Sequence, residues 1–236
     1  MIILVKLILA HLLGDFLLQP DAWVKAKKKK KLAAYQLYLH ILIHFALIML
    51  LVFDLTFWKW AVVLAMVHLV IDVIKLYAVK EKTQRQYFFI DQGAHFLLIF
   101  SIWLIYQGNT FPLQNLQYDN ILLWITAVYA LTTPTSMAIV FFISKWSPQT
   151  GSDNEDSLEE AGKYIGMLER LFVFAFVISG HWEAIGFLLA AKSIFRFGDL
   201  KESKDRKLTE YVLIGTLVSF GIAMLVGILY KTFYLQ

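Results

Sequence analysis

Long apolar stretches separated by short polar segments make up most of this chain. Helices of about 17 to 25 residues can cross the roughly 30 Å hydrocarbon core of a bilayer, and helices satisfy their own backbone there. The pattern predicts eight spans, near residues 2–19, 33–53, 57–79, 87–106, 119–143, 164–179, 183–197 and 209–232, with the sixth and seventh short enough to form one re-entrant hairpin. We therefore expect an all-α, polytopic membrane bundle of seven or eight helices.

The composition agrees with a membrane protein. Hydrophobic residues make up 59% of the chain and charged residues 17%, with a mean hydropathy of +0.62, whereas soluble domains have about 45–50% apolar and about 25% charged residues. The chain has no cysteine, which excludes disulfides and thiolate metal ligands. The first apolar stretch lacks a small-residue cleavage site before Pro20, so we expect it to be a retained helix.

Basic residues predict the orientation in the membrane. Residues 25–31, KAKKKKK, carry six lysines after the first span, and Lys80, Lys82 and Arg85 follow the third. The loops predicted on the opposite side of the membrane, DLTFWK and QGNTFPLQNLQYDN, carry one basic residue between them. Because basic loops stay in the cytoplasm, the N-terminus is predicted outside and the loop 25–31 inside. The lipid bilayer is the expected partner, and no nucleic acid is.

An acidic, turn-rich segment at residues 147–163 predicts a cytoplasmic loop. It separates a front half, 1–146, which holds five of the six histidines, from a back half, 164–236. In the back half, Lys192 and Arg196 are spaced i, i+4 and could either meet a lipid phosphate or act as topology determinants. Glu169 and Arg170 are expected to form interhelical ion pairs, with Lys192, Arg196 or Glu210 as candidate partners.

Eight ionisable residues of the first four predicted spans form four pairs, each spaced i, i+4: His11 and Asp15, His40 and His44, His68 and Asp72, and Asp91 and His95. This spacing puts both members of a pair on one helix face. Counted from the predicted cytoplasmic helix ends at about 1.5 Å per residue, all eight lie in one layer roughly 6–17 Å deep. Charges at that depth must face one another or water. The pattern predicts one polar or metal site, and unrelated helix packing is the alternative.

The ligand types limit the choice of metal. Imidazole nitrogens and carboxylate oxygens without thiolates suit Zn²⁺ first, with Mn²⁺ and Fe²⁺ as alternatives. Eight ligands suffice for two ions, or for one ion with partners that orient its imidazoles. Gln19 and Gln92 lie near the same layer and could donate to a substrate oxygen. Lys75, one turn beyond Asp72, is expected either to extend to the interface or to hold a phosphate.

The ordered motifs also carry a resemblance. HLLGDFLLQ, HILIH, HLVIDVIK and FIDQGAH, followed by GMLER, IGFLLAAKSIFRF and EYVLIGTLVS, resemble over nearly the whole chain a bacterial and phage membrane-protein family classified as a domain of unknown function. This resemblance implies a bacterial cytoplasmic membrane. The pattern is more distantly similar to membrane-bound metal-dependent hydrolases likened to zinc-dependent phospholipase C, although their THS-like segment is absent. That similarity implies phosphoester hydrolysis and carries over most directly to His11, Asp15, His68 and Asp72.

These observations lead to one hypothesis and its rivals. The first is a metal-dependent hydrolase of a phosphate ester, which could be lipid-linked, with Asp91 as general base and Asp15 as the other catalytic candidate. An ion- or proton-coupled transporter or channel would use the same layer as a relay. A haem- or quinone-binding redox protein would use facing histidines. A purely structural assembly partner would need none of this chemistry.

Overall fold

The computed structural model of the protein describes residues 2–108, 120–146, 156–197 and 203–234. These residues form α-helices joined by turns and short 3₁₀ segments, and no strand occurs among them. The helices are α1 (Ile2–Phe16), α2 (Asp21–Lys30), α3 (Tyr35–Val52), α4 (Trp58–Ala78), α5 (Gln84–Tyr106), α6 (Asn120–Ala130), α7 (Thr133–Ile143), α8 (Asp156–Ser179), α9 (Trp182–Phe197) and α10 (Ser203–Tyr234). The predicted all-α class is confirmed.

The protein is a helical, polytopic membrane protein. Within the described part of the chain, five helical segments are long and apolar enough to cross a bilayer: Tyr35–Val52, Leu55–Ala78, Gln84–Tyr106, Ile121–Trp146 and Thr209–Phe233. Only 28–39% of the most apolar part of each segment is buried inside the protein, so most of the apolar surface is left for lipid. Taken together, α1 and α2 are also long and apolar enough to cross the bilayer. They are bent by 77° from one another, and counting them as one broken span gives up to six spans.

Eight predicted spans are thus more than the described helices support by length and composition. The predicted sixth and seventh spans correspond to α8 and α9. The apolar part of α8 contains Lys163, Glu169 and Arg170, and α9 has 16 residues. Both features weaken a membrane span, because charged side chains are costly in hydrocarbon and a short helix does not bridge it.

Residues Met1–Thr126 form the first of two compact units. In it α1 contacts α3 and α5, and α4 contacts the same two helices, so the four helices form a closed ring. One end of the ring is filled by an apolar cluster of Leu7, Ala10, Ile48, Val52, Phe57, Ala61, Leu64, Ile99 and Ile102. The polar positions of the same helices lie toward the other end of the ring.

The lysine-rich segment after α1 differs from the predicted loop. It is largely helical, as α2, and this helix turns away from α1 by 77°. Pro20 directly precedes α2, with φ of −62° and ψ of 150°. Proline lacks a backbone N–H and suits the start of a helix, so it separates the two helices. The bend places the lysine run across the polar end of the ring.

Residues Ala127–Gln236 form the second unit. In it α8 contacts α7, α9 and α10, and α10 also contacts α7. The predicted span 119–143 is broken into α6 and α7, with Pro134 in the first turn of α7. The helix α8 begins at Asp156, inside the segment predicted as an acidic loop, and residues 147–155 of that loop lie outside the described residues.

Candidate metal centre

Eight ionisable side chains from the ring of four helices meet at the end opposite the apolar cluster. They are His11 and Asp15 on α1, His40 and His44 on α3, His68 and Asp72 on α4, and Asp91 and His95 on α5. Seven are buried, and the side chain of Asp15 is 11% exposed. The structure therefore brings together every member of the predicted ligand set, with histidine ring centroids as close as 4.0 Å.

Asp15 lies at the centre of this cluster. Its Oδ1 atom is 3.0 Å from Nε2 of His44, 3.3 Å from Nε2 of His40 and 3.6 Å from Nε2 of His68. Its Oδ2 atom accepts a hydrogen bond of 3.0 Å from Nε2 of Gln92. Since these partners belong to α3, α4 and α5, one carboxylate of α1 contacts polar side chains of all three other helices.

Gly14 allows this close approach of α1 and α3. A Cβ atom at this position would lie 2.4 Å from both Cε1 and Nε2 of His44, far inside van der Waals contact. Only a residue without a side chain leaves room for the imidazole against the α1 backbone. Gly14 of the HLLGDF motif therefore lets His44 reach Asp15, the next residue along α1.

Asp72 is held by a buried ion pair. Nζ of Lys27 donates to Oδ2 of Asp72 at 3.0 Å, and the two side chains are 6% and 8% exposed. The same carboxylate lies 3.8 Å from Nε2 of His40 and 4.0 Å from Nε2 of His68. Because Lys27 belongs to α2, the bend after α1 supplies a counter-ion for a carboxylate that would be costly to bury alone.

Asp91 is paired on one oxygen only. Its Oδ2 atom accepts hydrogen bonds from Nζ of Lys75 at 2.6 Å and from Nε2 of Gln92 at 3.2 Å. Its Oδ1 atom is buried and has no hydrogen-bond partner among the described residues, and Nδ1 of His95 is 3.8 Å away. One oxygen of Asp91 is thus available to a further ligand or proton.

Two histidines also have ring nitrogens available. Nε2 of His11 lies 3.2 Å from Oε1 of Gln92. Nδ1 of His11 and both ring nitrogens of His95 have no hydrogen-bond partner within the described part of the chain. A cavity of about 20 Å³ lies beside His11, His44, His68 and His95, which is room for about one water molecule. Buried polar atoms are rarely without partners, so these nitrogens are candidates to bind a water molecule or an ion.

The distances in the cluster fit a metal shell. Ligand atoms within 4.8 Å of one another form three overlapping groups: His11, Asp15, His44 and His68; His40, His68 and Asp72; and Asp15, Asp91 and His95. Around a tetrahedral ion with bonds of about 2.0–2.1 Å, ligand atoms are roughly 3.3–3.4 Å apart. The 3.0–3.6 Å separations from Oδ1 of Asp15, and the 3.3 Å between Nε2 of His40 and of His68, lie around that value. Because Asp15 and His68 each belong to two groups, the cluster could hold one ion or two adjacent ions.

The glutamines and Lys75, predicted to bind substrate, lie in internal contacts of the cluster. Nε2 of Gln19 is 3.0 Å from Nδ1 of His40, and Gln92 bridges the Asp15 and Asp91 carboxylates. Lys75 pairs with Asp91 while its side chain stays 35% exposed. A substrate would therefore have to compete with these contacts.

The other two predicted substrate residues belong to the second unit. Nζ of Lys192 donates to Oε2 of Glu169 at 2.6 Å, which is one of the ion pairs expected from the sequence. The side chain of Arg196 lies outside the described residues. Arg170 bonds backbone carbonyls and hydroxyls rather than a carboxylate in the described part of the chain.

Lys27 was missed by the sequence analysis. It is the second of six lysines in KAKKKKK, and composition does not distinguish it from its neighbours. It is buried because α2 bends back over the ring, whereas Lys28 on the same helix is exposed. The available signal was Pro20, which ends the first helix early and starts a second one.

The fold and the cluster define a polytopic helical membrane protein with a buried histidine–aspartate site that could hold a metal ion. The chain belongs to the family described as "Protein of unknown function (DUF3307)", which matches residues 3–126. The match ends where the first compact unit ends, so it contains the complete cluster. No curated protein and no solved structure matches the chain.

Proposed function

We propose that the cluster binds one or two divalent metal ions, Zn²⁺ first, and that the protein is a metal-dependent hydrolase of a phosphate ester. The observation that carries this proposal is the convergence of three imidazole Nε2 atoms within 3.6 Å of a single oxygen of Asp15. An ordinary hydrogen-bond network spreads donors over separate acceptors, whereas a metal shell collects nitrogen and oxygen ligands at one point.

A bound divalent ion would supply a Lewis acid that activates a water molecule and stabilises charge on a phosphoryl oxygen. The residues around the cluster match the other needs of phosphoester cleavage. The Oδ1 atom of Asp91, which has no hydrogen-bond partner among the described residues, is available to accept a proton. The ammonium groups of Lys27 and Lys75 are the nearest cations for a phosphate, at the cost of loosening their pairs with Asp72 and Asp91.

We further propose that the site opens toward the cytoplasm of a bacterial cell. The lysine run, Lys80, Lys82, Arg85 and Lys145 all fall at the same ends of the span-forming helices, and basic ends stay inside. Whether or not α8 and α9 cross, two consecutive helices return the chain to the same side. The proposed orientation is therefore the same whether both of these helices cross or neither does.

The decisive measurement is the metal content of detergent-purified protein, produced with Zn²⁺ and Mn²⁺ supplied and analysed by elemental mass spectrometry. We expect one or two equivalents of metal in the wild type and a loss of at least about tenfold in Asp15→Asn and His68→Ala, because each substitution removes a central ligand. Chelation should also lower the unfolding temperature of the wild type.

The control for this experiment is His181→Ala. His181 is exposed and pairs with Glu183 in the second unit, so its removal should leave the metal content unchanged. Metal-free wild-type protein after mild purification, or equal loss in the control, would contradict the proposal. Release of phosphate from a panel of lipid phosphate mono- and diesters, compared between wild type and Asp91→Asn, then tests the hydrolase reaction itself.

A second candidate, ion- or proton-coupled transport, is favoured by one specific feature. Hydrogen bonds run from His44 through Asp15, Gln92 and Asp91 to the partly exposed Lys75. The histidine and aspartate members of this network can take up and release protons, while Nε2 of Gln92 donates to both carboxylates and holds them together. A pH-dependent flux in liposomes without bound metal would support transport over hydrolysis. A haem or a quinone would need more room than the cavity of about 20 Å³ beside the contacting imidazole rings.

A further inference from the structure

The second unit contains a cavity of about 450 Å³ between α7, α8 and α10. Three glycines leave this space open: Gly162 and Gly166 on α8 and Gly215 on α10. A Cβ atom at Gly162 would meet nothing within 4 Å, and one at Gly215 would meet only the tip of Ile143 at 3.4 Å. The volume is within the range of small-molecule sites, roughly 300–1,000 Å³.

The cavity has a buried cation in its wall. Arg170 is 3% exposed, and its guanidinium donates to Leu131 O, Thr132 O, Ser136 Oγ and Ser219 Oγ. These four bonds use four of its five N–H groups. The remaining N–H belongs to Nη1, which lies 3.4 Å from where a Cβ atom of Gly166 would be, on the cavity side. All four acceptors are neutral, so none of these bonds joins Arg170 to a carboxylate.

The other charges of the described lining leave an excess of positive charge. Lys163, Arg170 and Lys192 are the cations, and Glu169 is the one carboxylate. Oε2 of Glu169 already pairs with Nζ of Lys192 at 2.6 Å. Glu169 also interacts electrostatically with Arg170, so the described lining carries three positive charges against one negative charge. A buried charge without a partner of opposite charge is costly, and a guanidinium is well suited to phosphate.

Apolar side chains form another part of the wall. Met137, Val140 and Phe141 of α7 and Val212 of α10 line the cavity beside the polar groups. Met137 and Val140 are exposed, and α7 belongs to the segment Ile121–Trp146 that can cross the bilayer. A ligand here would have its anionic part against Arg170 and Lys163 and an apolar part along a lipid-facing helix.

We propose that this cavity binds the phosphate headgroup of an anionic lipid, with the upper part of an acyl chain along α7. The site lies wholly within the second unit and does not depend on a metal in the first. A soluble phosphate ester shares the headgroup chemistry but would leave the apolar wall uncovered.

Native mass spectrometry of the detergent-purified full chain tests this, with phosphatidylglycerol and phosphatidylcholine as probes. We expect one phosphatidylglycerol to bind about tenfold more tightly than phosphatidylcholine. Lys163→Gln should weaken phosphatidylglycerol binding about fivefold, the effect of one lysine near a headgroup. Gly162→Phe should abolish it by filling the cavity. Arg170 is left intact because it also holds the carbonyls between α6 and α7.

Matched controls come from the same unit. Lys231→Gln removes the same charge at the far end of α10, and Gly221→Phe adds the same ring where a Cβ atom meets nothing within 4 Å. Both should bind phosphatidylglycerol like the wild type. Equal affinity for the two lipids, or equal losses in Gly162→Phe and Gly221→Phe, would overturn the proposal. Competition by glycerol 3-phosphate at the same concentration as the lipid would overturn the lipid assignment in favour of a soluble phosphate ester.

Discussion

At the scale of single residues, the contact between Gly14 and His44 sets how the cluster is built. In the Gly14→Ala variant the new methyl group would overlap the imidazole at 2.4 Å, so His44 must leave Oδ1 of Asp15. Overpacking of this kind costs about 1–3 kcal/mol, partly offset by the higher helix propensity of alanine, up to about 1 kcal/mol. We expect a lower unfolding temperature in detergent and a reduced metal content.

The matched control is Gly93→Ala on α5, beside Gln92. A Cβ atom at Gly93 meets nothing within 4 Å, so this variant should gain helix propensity without disturbing the cluster. It should unfold at or above the wild-type temperature and keep its metal. If both alanine variants behaved alike, the close packing of His44 on α1 would not be what shapes the site.

At the scale of helices, the pairs spaced i, i+4 were enough to predict which residues meet. The spacing fixes the face of each helix, and a charge in an apolar helix must turn inward, so His68 and Asp72 could be assigned to one site from the sequence. The direction of α2 could not be predicted in this way. It depends on how the segment after Pro20 packs on the ring, and a run of equivalent lysines carries no periodic signal. Pro134 indicates the break between α6 and α7, but the apolar residues on both sides of it led to the prediction of one continuous span.

The bend of α2 gives a test among neighbouring lysines. Lys27→Gln leaves Asp72 as a buried carboxylate without its ammonium partner, which typically costs about 3 kcal/mol or more. Lys28→Gln removes the same charge from an exposed position on the same helix and should change stability by less than about 0.5 kcal/mol. Thermal unfolding of the two purified variants, each compared with wild type, measures the difference. Equal stability of the two would mean that α2 does not pack its lysine on Asp72.

At the scale of the whole molecule, the described helices support five or six spans by length and composition, fewer than the eight predicted, and the difference lies in α8 and α9. The charges of α8 and the short length of α9 count against a membrane span more than their mean hydropathy counts for one. A buried cation such as Arg170 needs protein partners to be stable in hydrocarbon. The sequence predicted that the ionisable pairs share one layer, but it did not predict that α1, α3, α4 and α5 form a closed ring. Which helices are neighbours depends on packing that single-helix patterns do not contain.

The orientation can be tested with single cysteines, since the chain has none of its own. Lys29→Cys on α2 should react with a membrane-impermeant maleimide only after the cells are permeabilised. Leu55→Cys, at a position 84% exposed in the turn between α3 and α4, should react in intact cells. The expectation follows from the distribution of basic residues. The reverse labelling pattern would place the cluster near the outer face instead.

The contacts of Asp15 also have a consequence in time. Its Oδ2 atom bonds Gln92, which is 77 residues further along the chain. At about 5–20 residues per second, the ribosome needs roughly 4–15 s to add those residues. During that interval α1 carries a carboxylate whose partners on α3, α4 and α5 have not yet been made. The first helix of the nascent protein must therefore stay at the water interface, or bound to the insertion machinery, until the ring of four helices can close.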